Sequence, residues 1–239
     1  MPIAIVDGRV SDACERGLML RGFEVIKTAK NNSIGEAVSY HPDMLMFYHE
    51  GNLITSVYYA EYAESLFSDI RYLSRSAKVC FVDEIQDKKY PHDAIFNALV
   101  IGNKMFCKTD TVSKSVLEYA KNKRVEVVHV NQGYPACTVL AISDSSAITA
   151  DEGMHEVLSN NGINVTLIEN GDIHLPPYEY GFIGGAAGVY EDTVYFLGDV
   201  KKHRSYEKIR SACESCGKKI VSLSSEELID LGRIIFLSE

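Results

Sequence analysis

The amino-acid sequence predicts an α/β fold of one kind, a five-bladed, pseudo-symmetric α/β propeller whose last blade is closed by the N- and C-terminal strands. Three observations predict it. Tyr90, Tyr134 and Tyr178 recur at an interval of 44 residues, each after a polar or Pro/Gly-containing connector and before an apolar run. An interval of this length marks a stacked or ring-shaped repeat. Within each interval the same order returns, a strand hairpin, then a helix, then a strand. The chain also begins and ends on apolar runs, residues 3–6 and 233–237, that supply two halves of one more unit. An open sheet edge exposes unpaired backbone groups, so a repeat ring completes its last unit from both termini.

Along the chain, residues 3–6 read as a strand, 11–21 as a helix and 23–28 as a strand. A first internal unit has strand 43–48, a turn at Glu50-Gly51-Asn52, strand 53–55, a long helix 58–74 and strand 78–82. From Tyr90 come strand 94–100, a turn at Gly102-Asn103, strand 104–108, helix 111–122 and strand 125–130. From Tyr134 come strand 138–142, a turn at Asp144-Ser145-Ser146, strand 147–149, helix 151–160 and strand 164–168. Asp151 and Glu152 complement the positive end of that helix, and Asn161-Gly162 suits its stop. From Tyr178 come strand 180–186, a turn at Glu191-Asp192, strand 194–197, a helix 205–216 ended by Gly217, and strand 219–223. The predicted units are 41–89, 90–133, 134–177, 178–228, and 229–239 joined to 1–40, all in one domain, 1–239. A doubly wound sheet is the competing arrangement, but it would show one strand per helix and no hairpins.

The chain has 239 residues, 46% of them hydrophobic, enough to bury a core without metals or disulfides. Its apolar runs are too short to span a bilayer, and its start has no signal-peptide pattern, so no membrane partner and a cytoplasmic location are expected. The net charge is -9 and the basic clusters are short and separated, which argues against nucleic acid as a partner. The six scattered cysteines are expected to be reduced.

A ring of five hairpin-helix-strand units, the last closed by both ends, resembles the pentein fold of guanidino-group-modifying enzymes: arginine deiminases, dimethylarginine hydrolases, agmatine deiminases and amidinotransferases. The resemblance covers the whole chain and lies in its architecture. It implies a central funnel where the first strands of the units end, and where acidic residues, a histidine and a nucleophilic cysteine meet a guanidinium carbon. In those families the cysteine usually stands in the last unit, in a Gly-rich His-Cys segment. Here that unit reads Ile229-Asp230-Leu231-Gly232-Arg233-Ile234-Ile235-Phe236, with no histidine and no cysteine. The chain thus resembles a divergent member that lacks the usual C-terminal nucleophile, and a thiolate is what the chemistry requires.

By repeat position the funnel-facing segments are His41-Pro42-Asp43, Pro91-His92-Asp93, Pro135-Ala136-Cys137-Thr138, 181–188 and Leu231-Gly232-Arg233. The catalytic candidates are His92, Asp93 and Cys137. Cys137 is followed by Thr138, as the family's cysteine is followed by Ser or Thr, and His92 is the nearest base by repeat order; the competing role for Cys137 is that of a small buried hydrophobe. For ligand binding, Asp43 and Asp230 offer carboxylates to a guanidinium, and Thr138 and Arg233 stand beside them. Gly184 and Gly185 strip the backbone of side chains so that amides can approach an anionic ligand, or else form a tight corner between strands. The Cys213 and Cys216 pair has metal-knuckle spacing but no second pair, so no metal and no cofactor are expected. Tyr58 and Tyr62, one helical turn apart, leave self-association open. Two functions follow: binding or processing of a small polar, guanidino- or amino-acid-like metabolite, or a catalytically inactive relative that serves as a binding or assembly scaffold.

Overall fold

The computed structural model describes residues 1–237, so the last two positions of the predicted unit 229–239 lie outside the described residues. In chain order the strands are β1 (Ile3–Val6), β2 (Glu24–Lys27), β3 (Met46–His49), β4 (Asn52–Ser56), β5 (Lys78–Val82), β6 (Leu99–Ile101), β7 (Lys104–Cys107), β8 (Glu126–His129), β9 (Val139–Ser143), β10 (Ser146–Thr149), β11 (Asn164–Leu167), β12 (Ile173–His174), β13 (Ala187–Tyr190), β14 (Thr193–Phe196), β15 (Lys219–Ser222), β16 (Leu228–Ile229) and β17 (Ile235–Leu237). The helices are α1 (Asp12–Met19), α2 (Pro42–Leu45), α3 (Val57–Tyr62), α4 (Glu64–Leu73), α5 (Lys114–Lys123), α6 (Pro135–Thr138), α7 (Glu152–Asn160) and α8 (Tyr206–Ser215). No helix among the described residues is long and apolar enough to cross a membrane.

Fifteen of the strands form three-stranded sheets in the orders β17-β1-β2, β3-β4-β5, β6-β7-β8, β9-β10-β11 and β13-β14-β15. In each, the first pair is antiparallel and the second parallel. A parallel pair needs a crossover. Helices α1, α4, α5, α7 and α8 supply it. Their starts are set locally: Ser11, Ser113 and Asp151 accept the backbone N–H of Cys14, Val116 and Met154. The terminal strands pair as the sequence predicts, with Ile3 opposite Leu237 and Ile5 opposite Ile235.

Successive side chains of a strand point to opposite faces, and both faces of the middle strands are apolar. Ile3 and Ile5 of β1 join a core with Met46 and Leu53, whereas Ala4 and Val6 join one with Tyr195 and Leu197. Ile54 packs with Met105, Phe106 with Ala147, and Ile148 with Val194 and Phe196. Five cores result, each between two consecutive sheets, with the fifth between the β14 sheet and the β1 sheet. The outer strands β5, β8, β11 and β15 are more exposed and each starts on a polar residue, Lys78, Glu126, Asn164 and Lys219, which discourages pairing with another chain.

The structure corrects the sequence reading at the starts of the first strands. Residues 43–48 begin as the helical turn α2 and 138–142 emerge from α6; a Pro at the first helical position presets each turn. Residues 94–100 open on a 3₁₀ turn, His92–Ala94, and become a strand only at Leu99. Residues 180–182 are irregular and 183–186 a turn, with β13 starting at Ala187. The long helix 58–74 is two helices, broken at Ala63 where the backbone turns to φ -116, ψ 32. The short parallel pair β12-β16 has no counterpart in the sequence reading.

Candidate functional site

Those corrected segments carry most of the candidate residues. Asp43 rides on α2 with His41 at its N-cap, Asp93 on the 3₁₀ turn, Cys137 on α6, and Asp230 just after β16. All five side chains are buried, His41 completely. Above them is a cavity of about 610 Å³ lined by His41, Asp93, Cys137 and Asp230, by Tyr90, Tyr134, Tyr178, Tyr180 and Phe182, and by Gln132, Lys88 and Glu179 among others. The three tyrosines that mark the 44-residue interval thus meet at one place. A second cavity of about 110 Å³ is lined by Asp43, Phe47, Phe96, Ala136 and Arg233.

The floor is held by few hydrogen bonds. Cys137 Sγ donates to Asp43 Oδ2 at 2.9 Å, and Asn97 Nδ2 donates to Sγ at 3.3 Å while its Oδ1 accepts Ala136 N. Asp230 accepts the backbone N–H of Phe182 and of Gly232. Tyr134 donates its hydroxyl to Asp93 Oδ2 at 2.8 Å. Four buried atoms here have no hydrogen-bond partner: Asp43 Oδ1, Asp93 Oδ1, and both ring nitrogens of His41. His41 Nε2 lies 3.8 Å from Asp7 Oδ2 and Nδ1 lies 3.9 Å from Asp230 Oδ1, too far for hydrogen bonds. Asp7 is itself clamped by Arg9 through two contacts of 2.7 and 3.0 Å.

Burial dominates the ionisation of this floor. It pushes Asp43 up to about 6, against the opposing pull of the Cys137 hydrogen bond and the Arg233 charge. It pushes Asp230 up to about 7, although two backbone N–H groups favour the carboxylate. Burial and the Arg9 charge lower His41 to about 3, so its imidazole is neutral. Burial, and then the charges of Asp43 and Asp230, raise the Cys137 thiol well above its ordinary value. Cys137 is therefore held as a thiol. Asp93 is also raised by burial, in part offset by Tyr134.

Two glycines make room for this arrangement. A Cβ at Gly185 would collide with the Asp230 carboxylate, and one at Gly232, where φ is +68, would collide with the His41 side chain. Gly185 N donates to Cys137 O, so its amide is engaged within the protein and not offered to an anion. Gly184 packs against the backbone oxygens of Ala136, Cys137 and Val139. Both glycines form the tight corner.

Of the sequence-derived candidates, the structure brings together Asp43, Asp93, Cys137 and Asp230. His92 is exposed and does not line the cavity, because the 3₁₀ turn points it away from the side that buries Asp93. Thr138 spends its hydroxyl on Tyr134 O at 2.7 Å. Arg233, left-handed at φ 55, lines the smaller cavity, where its charge acts on Asp43 and Cys137. The sequence reading missed His41 as a site residue, although it stands in a funnel-facing segment; it also missed Asp7, Asn97 and the cavity-lining role of Tyr134.

Residues 5–235 match the family described as "Family of unknown function (DUF6873)". No curated protein sequence matches the chain. Among solved structures, the chain is similar to an agmatine deiminase from C. jejuni, at 9% identity over 93% of this chain and 87% of that one, with a TM-score of 0.57. It is also similar to a DDAH from Pseudomonas aeruginosa complexed with citrulline (9% identity, 94% and 91% covered, TM-score 0.55). A third is the amidinotransferase SxtG from Microseira wollei (11% identity, 93% and 88% covered, TM-score 0.56). At such identities the likeness is one of fold, and the fold is the pentein fold.

Proposed function

The chain belongs to the DUF6873 family and carries the pentein fold, and from that premise we propose that its five three-stranded sheets are the blades of one five-bladed propeller, whose funnel binds a small guanidino-, amidino- or amine-type cation. The five cores between consecutive sheets support the propeller. One observation carries the ligand class. Asp93 Oδ1 is a buried carboxylate oxygen with no donor, on the wall of the 610 Å³ cavity, while Tyr134 already satisfies the other oxygen. A ligand N–H is what that oxygen lacks. Tyr90 and Tyr134, with ring centroids 5.2 Å apart, give aromatic faces beside it on which a cation is stabilised. Structures similar to this one include an agmatine deiminase and an amidinotransferase, which agrees with that ligand class.

Calorimetry with agmatine, arginine and neutral citrulline tests the reading. The two cations should bind and citrulline should not, and Asp93→Asn should weaken agmatine by about tenfold, the scale of one charge-assisted hydrogen bond. Equal binding of citrulline, or no effect of Asp93→Asn, contradicts it.

Catalysis is a second reading, favoured by the placement of Cys137 and His41 on one cavity floor. Here His41 takes the place that His92 held in the sequence reading. Labelling of Cys137 by an arginine-like chloroacetamidine, with loss of turnover in Cys137→Ala, is its expected result. An intact fold without labelling leaves the binding or scaffold role.

A further inference from the structure

We propose that His41, Asp43 and Cys137 form a binding site for a divalent transition-metal ion of the zinc class, with a further coordination position open to the 610 Å³ cavity. One nitrogen, one carboxylate oxygen and one sulfur from these residues lie within 4.8 Å of one another, all buried. In a tetrahedral zinc site, with bonds of about 2.0–2.3 Å, neighbouring ligand atoms stand about 3.3–3.7 Å apart. The Cys137–Asp43 contact of 2.9 Å then opens by less than about 1 Å and the wider gaps close by a similar amount.

A second, independent observation is the orphaned polar atoms. Buried polar groups are nearly always paired, yet here His41 lacks a partner at both ring nitrogens and Asp43 at Oδ1. One ion satisfies a nitrogen and the carboxylate together. Whichever ring nitrogen binds it, the other N–H faces a carboxylate, Asp7 on the Nε2 side and Asp230 on the Nδ1 side. Such a carboxylate behind a ligating histidine orients the ring. Asn97, which donates to Sγ, holds the sulfur in the same way.

The charges also balance. When the ion binds, the Cys137 S–H bond breaks, the sulfur keeps the electron pair and bonds to the metal, and the proton leaves for solvent. Thiolate and carboxylate then neutralise the two positive charges, with a neutral imidazole as third ligand. Arg233 bears on Asp43 from the smaller cavity, a positive charge that the two anionic ligands must outweigh. Mixed sulfur and nitrogen donors favour zinc or cobalt over magnesium or calcium. Because His41 and Cys137 line the large cavity, the open position faces it. Cys137 lies 94 residues beyond Asp43, which is why no spacing motif announces the set.

The test uses the full chain, dialysed against EDTA and titrated with cobalt(II). One equivalent should give tetrahedral visible bands and a thiolate-to-cobalt charge-transfer band. Calorimetry with zinc in buffers of different ionisation enthalpy should show about one proton released. Cys137→Ser should lose the charge-transfer band and weaken zinc by about 100-fold, and His41→Gln by at least about tenfold. Cys80→Ser, which removes an exposed thiol, should change neither. Absence of the one-equivalent bands in the folded wild type, or survival of the charge-transfer band in Cys137→Ser, overturns the proposal. Should Cys137→Ser fail to fold, X-ray absorption of the zinc-loaded wild type decides: one sulfur with nitrogen or oxygen neighbours is expected, and none or several overturns it. The outcome does not depend on agmatine or Asp93, so the cation reading stands or falls separately.

Discussion

Glu84 and Asp230 are both carboxylates drawn out of water by the fold, and they end in opposite states. Glu84 accepts the Ser113 hydroxyl and the backbone N–H groups of Lys114 and Ser115, at the start of α5. Burial works against its charge, but these donors outweigh it and hold Glu84 below the usual carboxylate range. Asp230 is more deeply buried and has only two backbone donors, so burial wins. Asp43 and Asp93, in the same site, each keep one buried oxygen without a hydrogen-bond partner. At the start of α5 the protein surrounds its carboxylate with donors; at the cavity Asp43 and Asp93 are left short of them, which is what a site for a cation requires.

The largest effects should come from closing the floor. Gly232→Ala forces a Cβ into His41 at a left-handed backbone position, and should lower stability by about 3 kcal/mol in urea unfolding. A loss under about 1 kcal/mol would show that His41 and the floor yield easily to the added methyl group.

Next comes pH, where the two regions should pull in opposite directions. Asp43 and Asp230 have folded values of about 6 and about 7, above the unfolded value of about 3.9, so each favours the folded state when protonated. For the metal-free protein, their contribution is complete below about pH 4 and is lost as pH rises through about 7. Asp230→Asn should flatten that slope, whatever it does to absolute stability. Urea unfolding of both proteins from pH 4.5 to 8 checks this, and identical slopes would contradict the assignment.

The smallest effect belongs to Glu84. Its lowered value gives the reverse sign: stability is present above about pH 4.5 and is lost as pH falls through the folded value. Glu84→Gln should cost about 1 kcal/mol at pH 7, the size of a helix cap in partial contact with solvent, and less below pH 4. Thermal unfolding at the two pH values is sufficient to test it.

Much of the fold was legible because its signals are local. Hairpin turns, caps and the parallel crossover each depend on residues close in the chain, and the β7 prediction, 104–108, differs from Lys104–Cys107 by one residue. The first strands were misread because Pro42 and Pro135 start buried helical turns whose apolar residues look like strand. The site was less legible for a different reason. Asp43, Cys137 and Asp230 could be picked by repeat position, but whether His41 or His92 turns inward depends on the packing of one short turn, which neither periodicity nor spacing encodes. The glycine-rich stretch shows the same limit, since its use is visible only once Asp230 is seen to fill the space that Gly185 leaves.

The most direct measurement is a crystal structure of the full chain with agmatine. The guanidinium should lie about 3 Å from Asp93 Oδ1, in contact with the Tyr90 and Tyr134 rings. A guanidinium bound elsewhere, or an Asp93 Oδ1 already paired with a donor from the protein such as Lys88, would contradict the account.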